Sequence, residues 1–446
     1  ASSHSSSRPL VDAAWTDRVH ADALTVLEET GVHCRDEDVR RIFEDTGLAA
    51  FDESSGHIHV LPALVDQALA SAPRRSDFFI PENAFGIGGT APFVFDDMSE
   101  DLVPPTLGHL AEIAKIADRS AVVAFMARGV LMPGQEVAVM DTIAAHCRKP
   151  IYVAAVTDAG QDHAAALYRQ RGRLTVQFSI INSPLAVIPS MIPPFLNCLR
   201  QGLPVYVSTM PMAGLSAPYS MSGLLTLTHA EALFGITLAQ LVTPGIMTVH
   251  AGLPSIANIE KNYAVDLGHP AHHVANLLME KVNQRLGLPS IQSAGTTNAD
   301  QPGPEAEADA AFAFGLLKAH GFHQMRHAFG FLKDLVAFSI GKLLHHIELC
   351  AATEPRPLPN GVLEPYDVIV GAAVPPETPA SSWTNAPAVK PFTSDARLAI
   401  ARAVTWAESD LGQGQLKLLR VRDGETATVT IELPVMGTYS DTAPFD

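Results

Sequence analysis

Gly202-Leu-Pro-Val-Tyr-Val-Ser-Thr-Met210 opens on a Gly-X-Pro turn and runs directly into a short apolar stretch. Residues 223–241 then carry apolar side chains at helical spacing, and Pro244-Gly-Ile-Met-Thr-Val-His250 repeats the turn and the apolar stretch. Proline and glycine punctuate the two runs, so the segment reads as strand, helix, strand. Strands joined through a helix run parallel. Outward from this unit the pattern recurs. Short apolar runs fall at residues 93–95, 122–130, 151–156, 174–181, 205–210, 246–250, 290–294 and 322–329. Amphipathic stretches such as 107–118 and 161–171 lie between them, and Gly287-Leu-Pro289 announces the seventh run. Eight strands alternating with helices predict an α/β fold, a (β/α)₈ (TIM) barrel over residues 81–351. A doubly wound open sheet would want a glycine-rich phosphate loop after its first strand. The nearest candidate, Gly86-Ile-Gly88-Gly-Thr-Ala91, fits only a relaxed form and precedes the run at 93–95.

Two flanks complete the organisation. Residues 1–80 read as a helical cap. Residues 19–29 have helical spacing and stop at Gly31, residues 38–46 repeat it and stop at Gly47, and Pro62 starts a third helix. Residues 57–60 are a strand candidate. Residues 352–446 form an irregular extension: proline-rich loops at 354–365 and 374–391, a helix at 394–408, and a hairpin turning on Asp423-Gly424.

With 47% hydrophobic and 17% charged residues, the chain is neither disordered nor a coiled-coil rod. Its formal charge of −17 argues against nucleic acid or an anionic membrane as partner. Cys34, Cys147, Cys198 and Cys350 are far apart and form no CxxC, so neither a zinc ribbon nor a disulfide scaffold is indicated. The polar start, residues 1–8, lacks the apolar stretch of a signal peptide. The apolar runs, 235–242 among them, fall short of the ~20 residues of a membrane span. A cytoplasmic protein is expected.

In a parallel barrel the functional groups gather at the strand C-terminal ends. That selects Arg128 from strand two, Asn182 and Ser183 from strand four, Thr209 to Met212 from strand five, His250 from strand six, and Gln292, Ser293 and Thr296 from strand seven. Strand eight delivers His327 and Phe329, with Lys333 just beyond. Structural alternatives stand beside these: Arg128 closing a surface ion pair, His250 and His327 as satisfied core histidines, Asn182 and Gln292 capping loops. The 18 histidines invite a metal. Yet the pairs His272-His273 and His345-His346 point about 100° apart on a helix. His323 and His327 fall in a predicted strand, and Pro270 separates His269 from His273. No tightly bound metal is expected. No GxSxG offers a serine nucleophile.

One region is more specific. Ser208-Thr-Met-Pro-Met-Ala-Gly-Leu-Ser-Ala-Pro218 is followed by Gly223 and Leu227, then Ala230-Glu-Ala-Leu-Phe-Gly235 and Gln240-Leu-Val-Thr-Pro-Gly245. This resembles the trimethylamine methyltransferase family, with its "PMAG…AP" turn, "AE…G" helix and "QL..PG". Gly88-Gly-Thr-Ala-Pro-Phe93, Pro105-Thr-Leu-Gly-His-Leu-Ala-Glu-Ile-Ala-Lys-Ile-Ala-Asp118, Leu27-Glu-Glu-Thr-Gly-Val32 and residues 68–73 extend the likeness over about residues 19 to 350. The resemblance implies a barrel that moves a methyl group from a methylated amine to the Co(I) of a corrinoid (cobalamin) carried by a partner protein. Some members hold pyrrolysine just after strand eight. Phe329-Gly-Phe-Leu-Lys-Asp334 has ordinary residues only, as in the branch that includes glycine betaine methyltransferases. In that branch the substrate is a small quaternary ammonium compound.

The chemistry is consistent with that branch. A quaternary ammonium already carries its charge, so a neutral tertiary amine leaves without needing a proton. The barrel need only position and desolvate a cation, and aromatic faces hold such cations. Phe93, Phe95, Tyr206, Phe329 and Phe331 are the candidates, and alternation leaves open which face inward. A betaine carboxylate would look to Arg128, His250, His327 or Lys333. Gln292 and Glu348 complete the set, Glu348 as what remains of a family pattern in His345-His-Ile-Glu348. Here His250-Ala-Gly252 replaces the family's Tyr-Gly, and the usual His/Trp-rich ending is missing. A homo-oligomer is expected. The competing readings are a metal-assisted lyase or hydrolase on the same barrel, and a non-catalytic quaternary-amine-binding barrel.

Overall fold

The computed structural model describes residues 11–258, 263–356, 368–372, 415–422 and 425–432. Its centre is an eight-stranded parallel sheet: β1 (Ala84–Ile87), β2 (Val123–Met126), β3 (Ile151–Val153), β4 (Leu174–Phe178), β5 (Val205–Thr209), β6 (Thr248–Gly252), β7 (Ile291–Ser293) and β8 (Gln324–Arg326). The neighbour order is β6-β5-β4-β3-β2-β1-β8-β7. A parallel bridge between His250 and Ser290 joins β6 to the start of β7, with the His250 N–H donating to the Pro289 carbonyl at 2.8 Å. The sheet is therefore a barrel.

Seven of the eight expected strands fall where the apolar runs are. The first does not. Strand β1 is Ala84–Ile87, paired with β2 and β8, whereas Phe93–Phe95 lies in a separate four-stranded rim sheet with Phe331–Leu332, Ala337–Ser339 and Leu102–Val103. The physical cause is Gly86. A side chain there would come within 2.3 Å of the Phe125 ring. The inward face of β1, Ala84 and Gly86, is thus kept small so that its neighbour's phenylalanine can fill the barrel, while Phe85 and Ile87 pack outward.

Phe125, Tyr152, Tyr206, Val249, Ala251 and Ile291 pack together, with Phe78 and Ile80 against them. The Tyr152 hydroxyl donates to the Gln324 Oε1 at 2.5 Å. The barrel interior is thus a filled core.

Eleven α-helices are described: α1 (Ala13–Thr25), α2 (Glu37–Glu44), α3 (Pro62–Ser71), α4 (Leu107–Arg119), α5 (Glu136–His146), α6 (Asp158–Arg171), α7 (Ile192–Arg200), α8 (Met221–Val242), α9 (Pro270–Leu286), α10 (Pro304–His320) and α11 (Ile340–Ala352). Each of α4, α6 and α8 starts on a hydroxyl cap: Thr106, Thr157 and Ser220 accept from backbone N–H groups of the first turn. Helix α8 is long and apolar enough to cross a membrane by length and composition, a length the run at 235–242 does not convey. Of that apolar window 89% is buried inside the protein, so it is a core helix enclosed on all sides. Phe234 of α8 stacks on Phe43 of α2 at 4.7 Å, and this docks the N-terminal helices.

The N-terminal strand candidate is confirmed at His57–Val60. It belongs to a five-stranded sheet that also takes in Ile181–Asn182 and Ala186–Val187, the excursion after β4. At the other end, Gln415–Arg422 and Glu425–Glu432 pair antiparallel, with Val368–Ala372 alongside. The expected loops at 374–391 and helix at 394–408 lie outside the described residues, as does most of the loop at 354–365.

Candidate functional site

The recognisable motif residues turn out to be structural ties. Glu231 of α8 accepts from the Leu185 N–H at 2.9 Å, the Ser183 hydroxyl at 2.7 Å and the Thr209 hydroxyl. It fastens the excursion after β4 to the end of β5. Burial raises its carboxyl pKa, and those hydrogen bonds oppose the rise. Gln240 gives its amide N–H groups to Ile246 O and Thr248 Oγ1 and accepts from Gly245 N, which sets the turn into β6. After β5, Met212 O accepts from Leu215, Ser216 and Ala217, while Met212–Ala213 runs parallel to Ser255–Asn258.

The barrel mouth itself is built from other residues. Arg326, inward on β8, reaches across the barrel. One guanidinium nitrogen donates to Ala251 O at 3.1 Å and lies 3.4 Å from Ser208 Oγ, and the group lies 5.2 Å from the centre of the Tyr206 ring. Arg128, two residues past β2, shares a recess with Met132, Glu136 and Met140. Burial lowers the Arg128 pKa, and the nearby Tyr206 phenol and Glu136 partly offset this. The Nε of each arginine is buried without a hydrogen-bond partner. Among the described residues no carboxylate forms an ion pair with either. Glu136 is occupied elsewhere, accepting from Val156 N, Thr157 N and Thr157 Oγ1. Guanidiniums held away from water without an ion-pair partner gain from an anion that joins them, and Glu136 offsets only part of the burial of Arg128.

His327 caps β8 with a left-handed backbone, φ +65°. Its Nδ1 meets Ser293 Oγ at 2.8 Å, and the Phe331 ring stands edge-on to it at 5.6 Å. A Cβ at Gly88 would come within 2.5 Å of Arg326 Cβ and 2.8 Å of the His327 nitrogen. Glycine at that position lets the end of β1 close on β8. Burial, with Arg326 beside it, holds the His327 pKa well below the ordinary range, so the imidazole is neutral at pH 7.

Of the expected site residues, Arg128, Tyr206 and His327 stand at this mouth, with Phe331 behind His327. The rest are placed otherwise. His250 points out of the barrel, because its neighbours Val249 and Ala251 take the inward positions. Its Nδ1 accepts from Asn283 Nδ2 at 3.2 Å and Gly252 N at 3.3 Å, so its Nε2 carries the proton towards His229 Nδ1 at 3.1 Å. His229 in turn donates to His20 on α1 at 3.0 Å. The result is a directed imidazole chain that ties barrel to cap. Gln292 is outward too, fully buried, with no partner for either amide atom. Phe329 packs against Phe314 of α10 at 5.8 Å. Phe93 is exposed on the rim sheet, and Phe95 is buried there with Leu332 and Ala337. The Lys333 ammonium is taken by Asp300 at 2.9 Å, and Glu348 is exposed on α11. Among the described residues no three His, Cys, Asp or Glu side chains are grouped to hold a metal. Sequence reasoning missed Arg326 and Ser208. A polar signal was there: Gln324 and Arg326 alternate inside an apolar run.

The closed parallel sheet with its helices defines a (β/α)₈ barrel protein, whose strand C-terminal end carries Tyr206 and two arginines that form no ion pair among the described residues. Residues 4–356 match the sequence model of the trimethylamine methyltransferase (MTTB) family, and the chain belongs to that family. It is 26% identical over 318 residues to trimethylamine methyltransferase MttB of Methanosarcina barkeri (strain Fusaro / DSM 804), covering 65% of this chain and 64% of that protein. It is 22% identical over 359 residues to glycine betaine methyltransferase of Desulfitobacterium hafniense (strain Y51), covering 74% of each. The match thus spans less than two thirds of the Methanosarcina relative's length. Among solved structures, the monomethylamine methyltransferase MtmB of Methanosarcina barkeri aligns over 77% of this chain and 80% of its own, with 9% identity and a TM-score of 0.43.

Proposed function

We propose that the chain is a methyltransferase for a small quaternary ammonium compound that bears a carboxylate, the betaine class. The methyl acceptor in this reading is the Co(I) of a corrinoid held by a separate protein, which supplies the nucleophile. The observation that carries the substrate class is the pair of guanidiniums, Arg128 and Arg326, beside Tyr206, each with a buried Nε that has no hydrogen-bond partner and neither in an ion pair among the described residues. A bare methylated amine brings no charge to balance them. A betaine does.

The roles of the residues follow. Arg128 and Arg326 hold the carboxylate and so fix the far end of the ligand. The filled interior formed by Phe125, Tyr152 and Ile291 blocks deeper entry. This leaves the ammonium to face the strand C-terminal side, from which an acceptor protein must come. A tertiary amine leaves uncharged, so no proton donor is required. The neutral state of His327 suits this, since an imidazolium there would repel the ammonium. Catalysis is then mainly alignment, which small misplacements can degrade by about 10²-fold. A cytoplasmic setting belongs to the same reading, supported by four buried, unpaired thiols.

Calorimetric titration with glycine betaine, choline and trimethylamine tests the substrate class. The betaine should bind at least about tenfold more tightly than the other two, roughly 1.4 kcal/mol. Methyl transfer to reduced cobalamin should then be seen spectrally with the betaine. Equal affinity for all three would overturn the carboxylate argument, and no transfer from any of them, to free or protein-bound corrinoid, would overturn the activity.

A further inference from the structure

Lys342 is out of place by every local rule. It sits in the first turn of α11, where the helix dipole disfavours a cation. It is 2% exposed. Its ammonium donates to the Phe331 carbonyl at 2.5 Å. Its own N–H is capped by Ser339 Oγ at 2.9 Å, and Ser339 and Gly341 are both tied to Asp97 of the rim sheet's hairpin. The nearby acid is Asp309 of α10, which accepts from Thr297 Oγ1 at 2.5 Å. Burial lowers Lys342 to about 7 and raises Asp309 to about 8.

What it holds is a strained loop. Lys333, Asp334 and Leu335 all have left-handed backbones, with φ of +49°, +51° and +73°. Such residues cost on the order of 1–3 kcal/mol each and persist only when their surroundings impose them. Here Lys333 N donates to Ala299 O, Asp334 N to Thr297 O, and the Asp334 carboxylate accepts from Leu267 N. The Lys342 bond to Phe331 fixes the entry to this loop. It sets the Phe331 ring edge-on against His327, above Gly89, where a Cβ would already come within 3.0 Å of both rings. His327 borders Arg326 at the mouth.

We propose that Lys342 is a positioning residue: by anchoring the Phe331 backbone it fixes the orientation of the His327 imidazole at the barrel mouth. The importance of that orientation for the ligand rests on the substrate reading above. The placement of the ring does not.

The test uses Lys342→Met, Asp309→Asn, the double variant and Phe331→Leu in the full chain. Thermal stability, the ¹⁵N imidazole resonances of His327 (assigned by their loss in His327→Gln) and the glycine betaine dissociation constant are read for each. Lys342→Met alone should be the least stable, since it removes both the bond to the Phe331 carbonyl and the favourable interaction of Asp309 with the ammonium. The double variant should recover most of that stability and serves as the folded reference. In the double variant and in Phe331→Leu the His327 resonances should remain displaced and the affinity remain about tenfold weaker or more. Asp309→Asn should leave the resonances as in the parent. Recovery of parental resonances in the double variant would overturn the proposal and reduce Lys342 to charge balance. If the parent binds no betaine, the substrate reading fails, and the His327 resonances alone still decide the positioning role.

Discussion

Arg326 and His250 show how far a side chain's role depends on which way its strand faces. Both lie in barrel strands. Arg326 is turned inward, onto Tyr206, Ser208 and Ala251, and His250 outward, onto His229 and Asn283. Opposite predictions follow. Arg326→Lys keeps the charge but loses the planar fork and the stacking. Betaine affinity should fall about tenfold in titration calorimetry with little change in unfolding, and unchanged affinity would remove Arg326 from the site. His250→Ala leaves His229 and Asn283 with unmet polar atoms in the core and should cost about 1–3 kcal/mol in denaturant unfolding. Betaine affinity should stay within a factor of two. A large loss of affinity with intact stability would return His250 to the site. The Arg128 candidacy was legible because Arg128 directly follows an apolar run. Arg326 was legible only as a polar alternation that any inward-facing core pair could produce.

At the scale of elements, α8 packs directly against β5. Gly235 lets the helix approach the strand: a Cβ there would stand 2.5 Å from Val207 Cγ1. Gly235→Val should therefore overpack this seam, costing about 1–3 kcal/mol, measured as a lowered urea midpoint at unchanged slope. Wild-type stability in that variant would mean that the seam is loose. The helix–strand alternation was readable because each strand here is a short apolar run bounded by proline or glycine. Strand β1 was not, since Ala84 and Gly86 supply little hydrophobic contrast, and the stronger run at Phe93–Phe95 drew the assignment to the rim. The same error placed two phenylalanines in the site that belong to a different sheet. Glu231 and Gln240 were read as family marks. Their hydrogen bonds give the physical reason: each anchors a turn next to a barrel strand, a role that substitution would expose as lost stability before lost binding.

At the scale of the molecule, the buried histidines dominate the response to acid. Burial holds His229, His272, His327 and His346 well below their ordinary range and His250 and His273 at about 3. A depressed folded-state pKa gives stability that is present above the unfolded value near 6.5 and is lost as pH falls towards the folded value. Each such group then contributes roughly 1 kcal/mol of loss per pH unit below about 6. Asp309, raised to about 8, and the raised Glu231 and Glu280 act in the other direction, losing stability as pH rises from about 4 to their folded values. Histidines outnumber them, so the denaturant midpoint followed by circular dichroism should fall steeply from pH 7 to pH 5. Equal midpoints at the two values would show that these imidazoles are not buried in solution.

By itself the sequence determined the strand–helix alternation, the parallel barrel it implies, the acidic surface charge and the family. All of these reside in local order: apolar runs, punctuating glycines and prolines, and motif spacing along one strand–helix–strand unit. Only the tertiary structure decided which residues share the mouth. Closure of the barrel brings Arg128 just past β2, Tyr206 of β5 and Arg326 of β8 together from positions up to 198 residues apart. The inward or outward sense of each strand, and the bend at His327 that breaks the alternation, are set by packing against helices whose own positions no local pattern specifies. A side chain's face on a strand has a period of two, so a shift of one residue reverses it, and only the closed sheet fixes that register.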